Sequence, residues 1–194
     1  MSVRPYHHGD LRAVLLAGAE RALAARGPAA LSLRELAREA GVSHAAPSRH
    51  FRDKTALLDA LALNGFERLT DQLTAAAAEP GDTRGGLLAM ARVYVAFALD
   101  NAALLDLMYA RKHDPDSPEE LTAAVGRLLD TVMDTITEGQ RTGEIAAGDP
   151  GVIAFTVSAA LHGFAVLNSN AAPEDVDALL PGIIEVLATG LLPR

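Results

Sequence analysis

Residues 32–54 constrain the fold more than any other part of the chain. Their first half repeats apolar residues at helical spacing. It opens with Ser32 and Glu35, a pair that caps a helix start when each side chain satisfies a free backbone N–H. Gly41 follows, where a left-handed glycine commonly ends a helix. A second short helix is predicted over residues 44–50. The pattern predicts a helix-turn-helix, and the alternative is a capped corner of any helical protein.

The predicted second helix carries side chains suited to reading nucleic acid. Ala45 and Ala46 are small enough for close approach to base edges, and His44 and Arg49 offer hydrogen-bond donors. Pro47 lies inside this helix and lacks a backbone N–H, so a helix start nearer to Ala46 is the alternative.

Charge is distributed unevenly along the chain. Residues 1–54 hold nine Lys or Arg against five Asp or Glu, whereas the remainder holds eight against twenty. A basic head attracts phosphates at one end only. The acidic remainder argues against a protein that coats DNA in general.

The rest of the chain shows helical periodicity without an alternating strand pattern, so we expect about nine helices in all. We place a helix-turn-helix domain at residues 1–54 and a ligand-binding and dimerisation domain at residues 55–194. The fifth predicted helix, over residues 84–100, is apolar on two faces. Such a helix is buried between layers or lines a cavity. Pro181 is predicted to kink the last helix, which ends near Leu191.

Other classes of protein find little support in the sequence. There is no cysteine, no secretion signal and no stretch with the features of a membrane span, which favours the cytoplasm. No metal-binding His-x-x-x-His and no nucleotide-binding or nucleophile motif occurs. We therefore expect no enzyme activity, cofactor or metal. The first nine residues, with Arg4, Tyr6, His7 and His8, are predicted to form an arm that is disordered or contacts phosphates.

Residues 31–58 resemble the DNA-binding domain of the tetracycline-repressor (TetR) family of bacterial transcriptional regulators. The matching segments are Leu-Arg-Glu-Leu-Ala-Arg-Glu-Ala-Gly-Val-Ser, at residues 33–43, and Arg-His-Phe-Arg-Asp-Lys-Thr-Ala-Leu-Leu, at residues 49–58. Family members usually carry a tyrosine, which touches the DNA backbone, where this chain has Ser48. Leu161-His-Gly163 resembles the Trp-His-Gly signature of one branch's C-terminal domain, with leucine in place of tryptophan.

The resemblance implies an all-α fold, a helix-turn-helix domain followed by a helical bundle that is dimeric through its last two helices. It implies a repressor that leaves a palindromic operator when a small, mostly apolar effector binds. Larger intrachain packing is the alternative explanation for the apolar surface of those two helices. The predicted DNA contacts are Ser32, Arg34, Ser43, His44, Ala45, Ser48, Arg49, His50 and Lys54.

The predicted effector contacts are Tyr94, Phe97, Met108, Tyr109, Met133 and His162, and the predicted dimer contacts are Phe155, Leu161, Phe164, Ile183, Ile184 and Leu187. Two other functions stay open. Because Ser48 replaces the usual tyrosine, the chain is alternatively a helical ligand-binding or interaction protein that has lost specific DNA binding. An enzyme on a helical bundle has only His162 in its favour.

Overall fold

The computed structural model describes residues 10–79 and 81–189, which are helical and contain no strand. The predicted all-α class is confirmed. The arm with Arg4, Tyr6, His7 and His8 and the predicted helix end near Leu191 lie outside the described residues. The α-helices are α1 Asp10–Arg26, α2 Leu33–Glu39, α3 Lys54–Ala77, α4 Thr83–Asp100, α5 Ala102–Lys112, α6 Glu119–Thr142, α7 Pro150–Leu167 and α8 Pro173–Thr189; Pro28–Ala30 and Pro47–Arg49 form 3₁₀ turns.

The prediction of a helix over the whole of residues 44–50 was wrong, and the alternative start nearer Ala46 is confirmed, because Ala46 is the N-cap of the helix that forms. The segment forms a turn and then the 3₁₀ helix, in which the N–H of His50 donates to the carbonyl of Pro47 at 2.9 Å. Before it, the N–H of Ala46 donates to the carbonyl of Ser43 at 2.9 Å. Pro47 explains the difference, because it has no N–H for a bond to Ser43 and its ring crowds that carbonyl. Eight of the nine predicted helices therefore form α-helices.

One compact unit contains residues 10–65 and 103–122. Phe51 is 1% exposed and lies in the core of this unit. The largest buried side chains of this unit are Leu15, Leu23, Phe51, Leu57, Leu61, Met108 and Leu121. Because α5 follows α4 in sequence but clusters with α1, α2 and the first half of α3, the compact units are not continuous in sequence. The functional boundary at residue 54 stays a prediction.

The turn after α2 depends on Gly41, whose φ is +69°. The N–H of Gly41 donates to the carbonyl of Arg38 at 3.2 Å, and the N–H of Val42 donates to that of Ala37 at 3.0 Å. These two bonds are those of a Schellman motif, in which a left-handed residue satisfies the last carbonyls of a helix. The predicted role of Gly41 is confirmed.

Close packing and a buried ion pair join α3 to α5 within this unit. A Cβ at Gly65 would lie 2.5 Å from the sulfur of Met108, so only a glycine fits without a shift of that side chain. Nε of Arg111 lies 2.6 Å from Oδ1 of Asp59, with 13% and 10% of the two side chains exposed. Burial lowers the pKa of Arg111, but the hydrogen bonds and charges of Asp59 and Asp114 outweigh it and raise that pKa.

The second unit contains residues 66–102 and 123–189 apart from residue 80, and α4 contacts both α7 and α8 in it. Arg84 pairs with Glu185, and Nε of Arg92 lies 2.8 Å from Oδ1 of Asp177. These exposed pairs fix orientation more than they add stability. The buried positions of the three helices are Met90, Ala91, Val95, Phe97 and Ala98, then Ala154, Leu161 and Ala165, then Val176, Leu180 and Ile184.

Helix α7 is long and apolar enough, by length and composition, to cross a membrane. Its mean hydropathy is 1.7, and 17% of it is buried. No such segment was expected from the sequence. One such helix is weak evidence for a span, because a core helix of a soluble protein can meet the same criteria. Helix α8 continues through Pro181 from Pro173 to Thr189.

Replacement of Gly41 by alanine should destabilise the protein by about 1–2 kcal/mol, because an L-residue is strained at positive φ. Gly126→Ala is the matched control. It lies inside α6, and no atom lies within 4 Å of an added Cβ. It should raise stability by about 0.5–1 kcal/mol, because alanine favours the helix. Thermal unfolding at one protein concentration measures both variants. Equal shifts of the two midpoints would contradict the role given to Gly41.

Candidate nucleic-acid interface and effector cavity

The nine predicted DNA contacts all lie in the first unit, on α2, on the segment after it and at the start of α3. Six are exposed, namely Arg34, Ser43, His44, Ala45, Ser48 and Arg49. Three are half-buried, namely Ser32, His50 and Lys54. The structure therefore presents most of the predicted polar groups to solvent on one stretch of chain.

Two buried residues hold residues 43–50, which we call the reading segment. Pro47 and Phe51 lie in the core, and the N–H of Phe51 donates to the carbonyl of Pro47 at 2.9 Å. Ser48 and Arg49 lie between these anchors and face solvent. Because the anchors are four residues apart, the polar side chains between them have a defined direction despite the lack of an α-helix.

Ion pairs leave some of the arginines available for phosphates. Arg26 and Arg38 both pair with Glu35, at 3.4 and 3.6 Å. Within the described ranges, neither Arg34 nor Arg49 forms an ion pair, and both are exposed. A guanidinium group of this kind can bind phosphate without giving up an internal partner.

Internal groups occupy the starts of α2 and α3, near which Ser32, Arg34 and Lys54 are predicted DNA contacts. The N–H of Glu35 donates to Oγ of Ser32 at 3.5 Å, which confirms the cap of α2. Oδ1 of Asp53 accepts from the N–H of Ala56 at 2.8 Å and caps α3. Nζ of Lys54 donates to the carbonyl of Ala29 at 2.7 Å. Lys54 therefore has a structural contact, which makes Arg34 the clearer candidate for a phosphate.

Arg12 is an exposed cation that was not among the predicted contacts. Its Cζ lies 5.6 Å from the ring centroid of Phe51, which places the charge beside the reading segment. Only the folded chain brings residue 12 near residue 51. The sequence signal was limited to the excess of basic residues in the head.

The second unit contains a small cavity of about 40 Å³. Of the six predicted effector contacts, Tyr94 lines it, and the hydroxyl of Tyr94 lies 3.0 Å from Nδ1 of His162. The lining comes from α3, α4, α6 and α7 and consists of Leu73, Leu87, Met90, Ala91, Tyr94, Val132, Val157, Ser158 and Leu161.

The other five predicted effector residues, His162 among them, do not line this cavity. Phe97 is buried, and its ring lies 5.6 Å from Cζ of Arg68. Met133 is half-buried on α6. Met108 and Tyr109 belong to the other unit, because α5 clusters there. Their position in the chain and their polarity had suggested them.

Most of the lining was missed, although one signal was available. Leu87, Met90, Ala91 and Tyr94 occur at i, i+3, i+4 and i+7 on α4, so they share one helical face with the residue that was predicted. Leu161 was predicted to lie in a dimer interface, but it is 6% exposed and lines the cavity.

The apolar residues that α7 and α8 expose are mostly not the residues that were predicted as dimer contacts. Phe155 is 76% exposed, whereas Leu161 and Ile184 are buried within their own unit. Phe164, Ile183 and Leu187 are half-buried. Leu161 and Ile184 face inward because α4 packs against that side. The exposed apolar side chains are Val152, Phe155, Val166 and Leu167 on α7 and Leu179 and Val186 on α8, and we call them the outer apolar face.

Over residues 10–79 and 81–189, no group of three or more His, Cys, Asp or Glu side chains is placed to hold a metal ion. The candidate functional features are an exposed basic and polar segment in the first unit and a mostly apolar cavity in the second unit.

Two family models match the chain. Residues 15–61 match the model of bacterial regulatory proteins of the tetR family. Residues 87–187 match the model of the tetracyclin repressor-like C-terminal domain. No curated protein matches the sequence.

Solved structures cover nearly the whole chain. A protein with unknown function from Rhodococcus sp. RHA1 is 45% identical, with a TM-score of 0.85, over 96% of this chain and 100% of that one. The transcriptional regulator FadR from Bacillus subtilis, in complex with stearoyl-CoA, is 17% identical, with a TM-score of 0.78, over 93% and 99% of the two chains. A TetR-family regulator from Rhodococcus sp. is 24% identical, with a TM-score of 0.73, over 93% and 100%.

Arg34→Ala and His44→Ala should weaken DNA binding in different ways. Loss of a phosphate contact at Arg34 should weaken binding to all sequences and lower the salt slope by about 1. Loss of His44 should change the preference among sequences. Arg127→Ala, an exposed arginine of the second unit, is the control and should change neither. Fluorescence anisotropy on specific and scrambled DNA at several salt concentrations measures both effects. Equal losses for the two variants on every DNA would refute this division of roles.

Proposed function

Because the chain belongs to the TetR family of bacterial regulatory proteins, we propose that it is a homodimeric repressor that leaves a palindromic operator when a small, mostly apolar effector binds. The family consists of DNA-binding transcriptional regulators, so the chain is a regulator and not an enzyme. The finer points, which are repression, the operator, the effector and the dimer, are the proposal. The branch with a Trp-His-Gly signature also stays a prediction. A repressor of this kind acts in the cytoplasm, where the operator is.

The reading segment is the observation that carries the DNA-binding half of the proposal. It exposes Ser48 and Arg49 between the two buried anchors, Pro47 and Phe51, and it follows the helix-turn element that ends at Gly41. Exposed Arg34 adds a cation at the start of α2. We assign base contacts to His44, Arg49 and His50, and backbone contacts to Ser32, Arg34, Ser48 and Lys54.

The outer apolar face supports a homodimer. Along α7, Val152, Phe155 and Val166 recur on one side of the helix, opposite the side that packs on α4. A continuous apolar face of this kind marks an interaction surface. A two-fold axis through it would pair α7 and α8 with their copies. Two reading segments would then meet half-sites on the order of 34–36 Å apart.

The cavity supports effector control by linkage. An effector that binds one dimer geometry better than the other weakens operator binding, and DNA weakens effector binding by the same factor. This coupling is typically about 1–3 kcal/mol. FadR from Bacillus subtilis shares only the fold with this chain, and its complex with stearoyl-CoA supports a small-molecule site in such a fold.

The decisive experiment is binding of the purified protein to labelled DNA from upstream of its own gene, with scrambled DNA as control, at about 150 mM salt to suppress non-specific attraction. We expect saturable, selective binding with two protomers per site. A failure there and across a genome-wide site selection would refute the repressor. It would favour the second candidate, a helical ligand-binding protein that has lost DNA binding. Exposed Ser48, where relatives carry tyrosine, is the observation behind that candidate.

Phe155→Glu together with Val166→Glu should convert the dimer to a monomer, because each places a charge in the proposed apolar interface. Light scattering coupled to size exclusion measures the mass. Leu129→Glu is the matched control, since Leu129 is 52% exposed on α6, outside the outer apolar face, and it should stay dimeric. A dimer that survives the double change would place the interface elsewhere.

A further inference from the structure

We propose, building on the proposed function, that Arg12 on α1 binds a backbone phosphate of the same DNA that the reading segment contacts. The contact is independent of base sequence. It gives a DNA-binding role to a residue outside the segment from Ser32 to Lys54, which holds all the other candidate contacts.

The guanidinium group of Arg12 is available to an external anion. Arg12 is exposed, and among the side chains that the structure describes none forms an ion pair with it. Arg52, which is next to Phe51 in the chain, is instead paired with Asp53 at 3.3 Å. Arg12 can therefore bind a phosphate without giving up a carboxylate, whereas Arg52 cannot.

The ring of Phe51 holds this charge in place. Cζ of Arg12 lies 5.6 Å from the centroid of the ring, within the range of a cation–π contact. Phe51 is 1% exposed, and its N–H donates to the carbonyl of Pro47 at 2.9 Å. One buried residue therefore anchors the reading segment and also orients Arg12. Because the guanidinium group is already positioned, it loses little freedom when it binds.

Arg12 lies close enough to the reading segment to meet the same DNA. The ring centroid of His50 lies 6.5 Å from that of Phe51. Cζ of Arg12 and the ring centroid of His50 are therefore at most about 12 Å apart, which is the sum of the two distances. Duplex DNA carries one phosphate per roughly 1.7 Å of its axis. A duplex in contact with His50 thus presents several phosphates within this span.

A purely structural role, in which Arg12 only covers the ring of Phe51, predicts different effects of substitution. Arg12→Met keeps an apolar stem beside the ring and removes the charge, and Arg12→Lys keeps the charge. If Arg12 binds a phosphate, the methionine variant should lose DNA affinity and the lysine variant should retain most of it. If Arg12 only covers Phe51, both should bind DNA as the parent does.

Arg21 provides the matched control on the same helix. It is exposed, and it too lacks an ion pair with any residue that the structure describes. It follows Arg12 by nine residues, so it lies about 13.5 Å further along α1 and on the opposite side of the helix. Arg21→Met removes the same charge from the same unit. A general effect of basic charge would therefore weaken DNA binding equally in Arg12→Met and Arg21→Met.

Fluorescence anisotropy of the full chain on scrambled DNA, between about 50 and 200 mM salt, measures the contact. One phosphate contact contributes about 0.9 to the slope of log affinity against log salt. The affinity of the parent relative to Arg12→Met should therefore fall about threefold per protomer over this range. Arg12→Lys and Arg21→Met should keep the slope of the parent. A parental slope for Arg12→Met, or equal changes in Arg12→Met and Arg21→Met, would overturn the inference.

Thermal unfolding checks that the variants fold. We expect midpoints close to that of the parent for all three. If the midpoint of Arg12→Met falls, Arg12→Gln, which is uncharged but polar, takes its place in the same salt series and should show the same loss of slope.

Neutral methylphosphonate linkages, placed one at a time in the operator, identify the phosphate. At one linkage per half-site the parent should lose affinity at least about fivefold. Arg12→Met should lose none there, because it has no charge to pair with that phosphate. Equal losses for parent and variant at every linkage would contradict the assignment.

The two kinds of DNA separate this inference from the proposed function. Selective operator binding with an unchanged slope in Arg12→Met would retain the repressor and refute the Arg12 contact. Binding of scrambled DNA through Arg12, without any preferred site, would retain the contact and refute the repressor. No binding to any DNA at about 50 mM salt, where non-specific attraction is strong, would refute both.

Discussion

Helix α4 needs burial on more than one side, and the second unit is built around that requirement. Its apolar residues cover two faces, so a single layer of packing would leave one of them in water. The faces meet α7 and α8, and Met90, Ala91 and Tyr94 also line the cavity. The one helix thus supplies both core and cavity. This is why residues suited to core packing and residues suited to ligand contact could not be separated along its sequence.

The two helices that cover α4 expose apolar side chains of their own. Helix α7 is apolar all round, and one of its sides packs inward, so its other side carries Val152, Phe155 and Val166 in solvent. A side chain such as Phe155, 76% exposed, gains little from the fold of a single chain. The same property explains how a helix of a regulator can match the length and composition of a membrane span. In the proposed homodimer, pairing with a second copy would remove this exposed surface without a membrane.

The sequence predicted the elements well where the signals were local. The turn at Gly41 is an example, because glycine acts through its own backbone. It failed where one residue obeyed two rules. Pro47 lay in a predicted helix and confined it to a 3₁₀ helix over Pro47–Arg49. Leu161, a predicted dimer contact, is buried within its own unit, and its contact with a second copy stays a prediction. The cavity was predictable in part, since Tyr94 was found. Its neighbours on α4 share its helical face, but the lining residues on α3, α6 and α7 depend on which face each helix turns to the cavity, and periodicity alone does not determine that.

Pro47 has a consequence for the entropy of recognition. Its ring fixes φ, and its burial fixes its position, so the reading segment has few conformations to lose when it meets a partner. A preorganised segment of this kind binds partners whose shape already matches its own, and it adapts poorly to a partner of slightly different shape. In the proposed DNA contact, sequences that deviate from the preferred one would be rejected by misfit, in addition to any lost hydrogen bond. Pro47 therefore shortens the expected helix and also restricts the conformations of the segment that forms in its place.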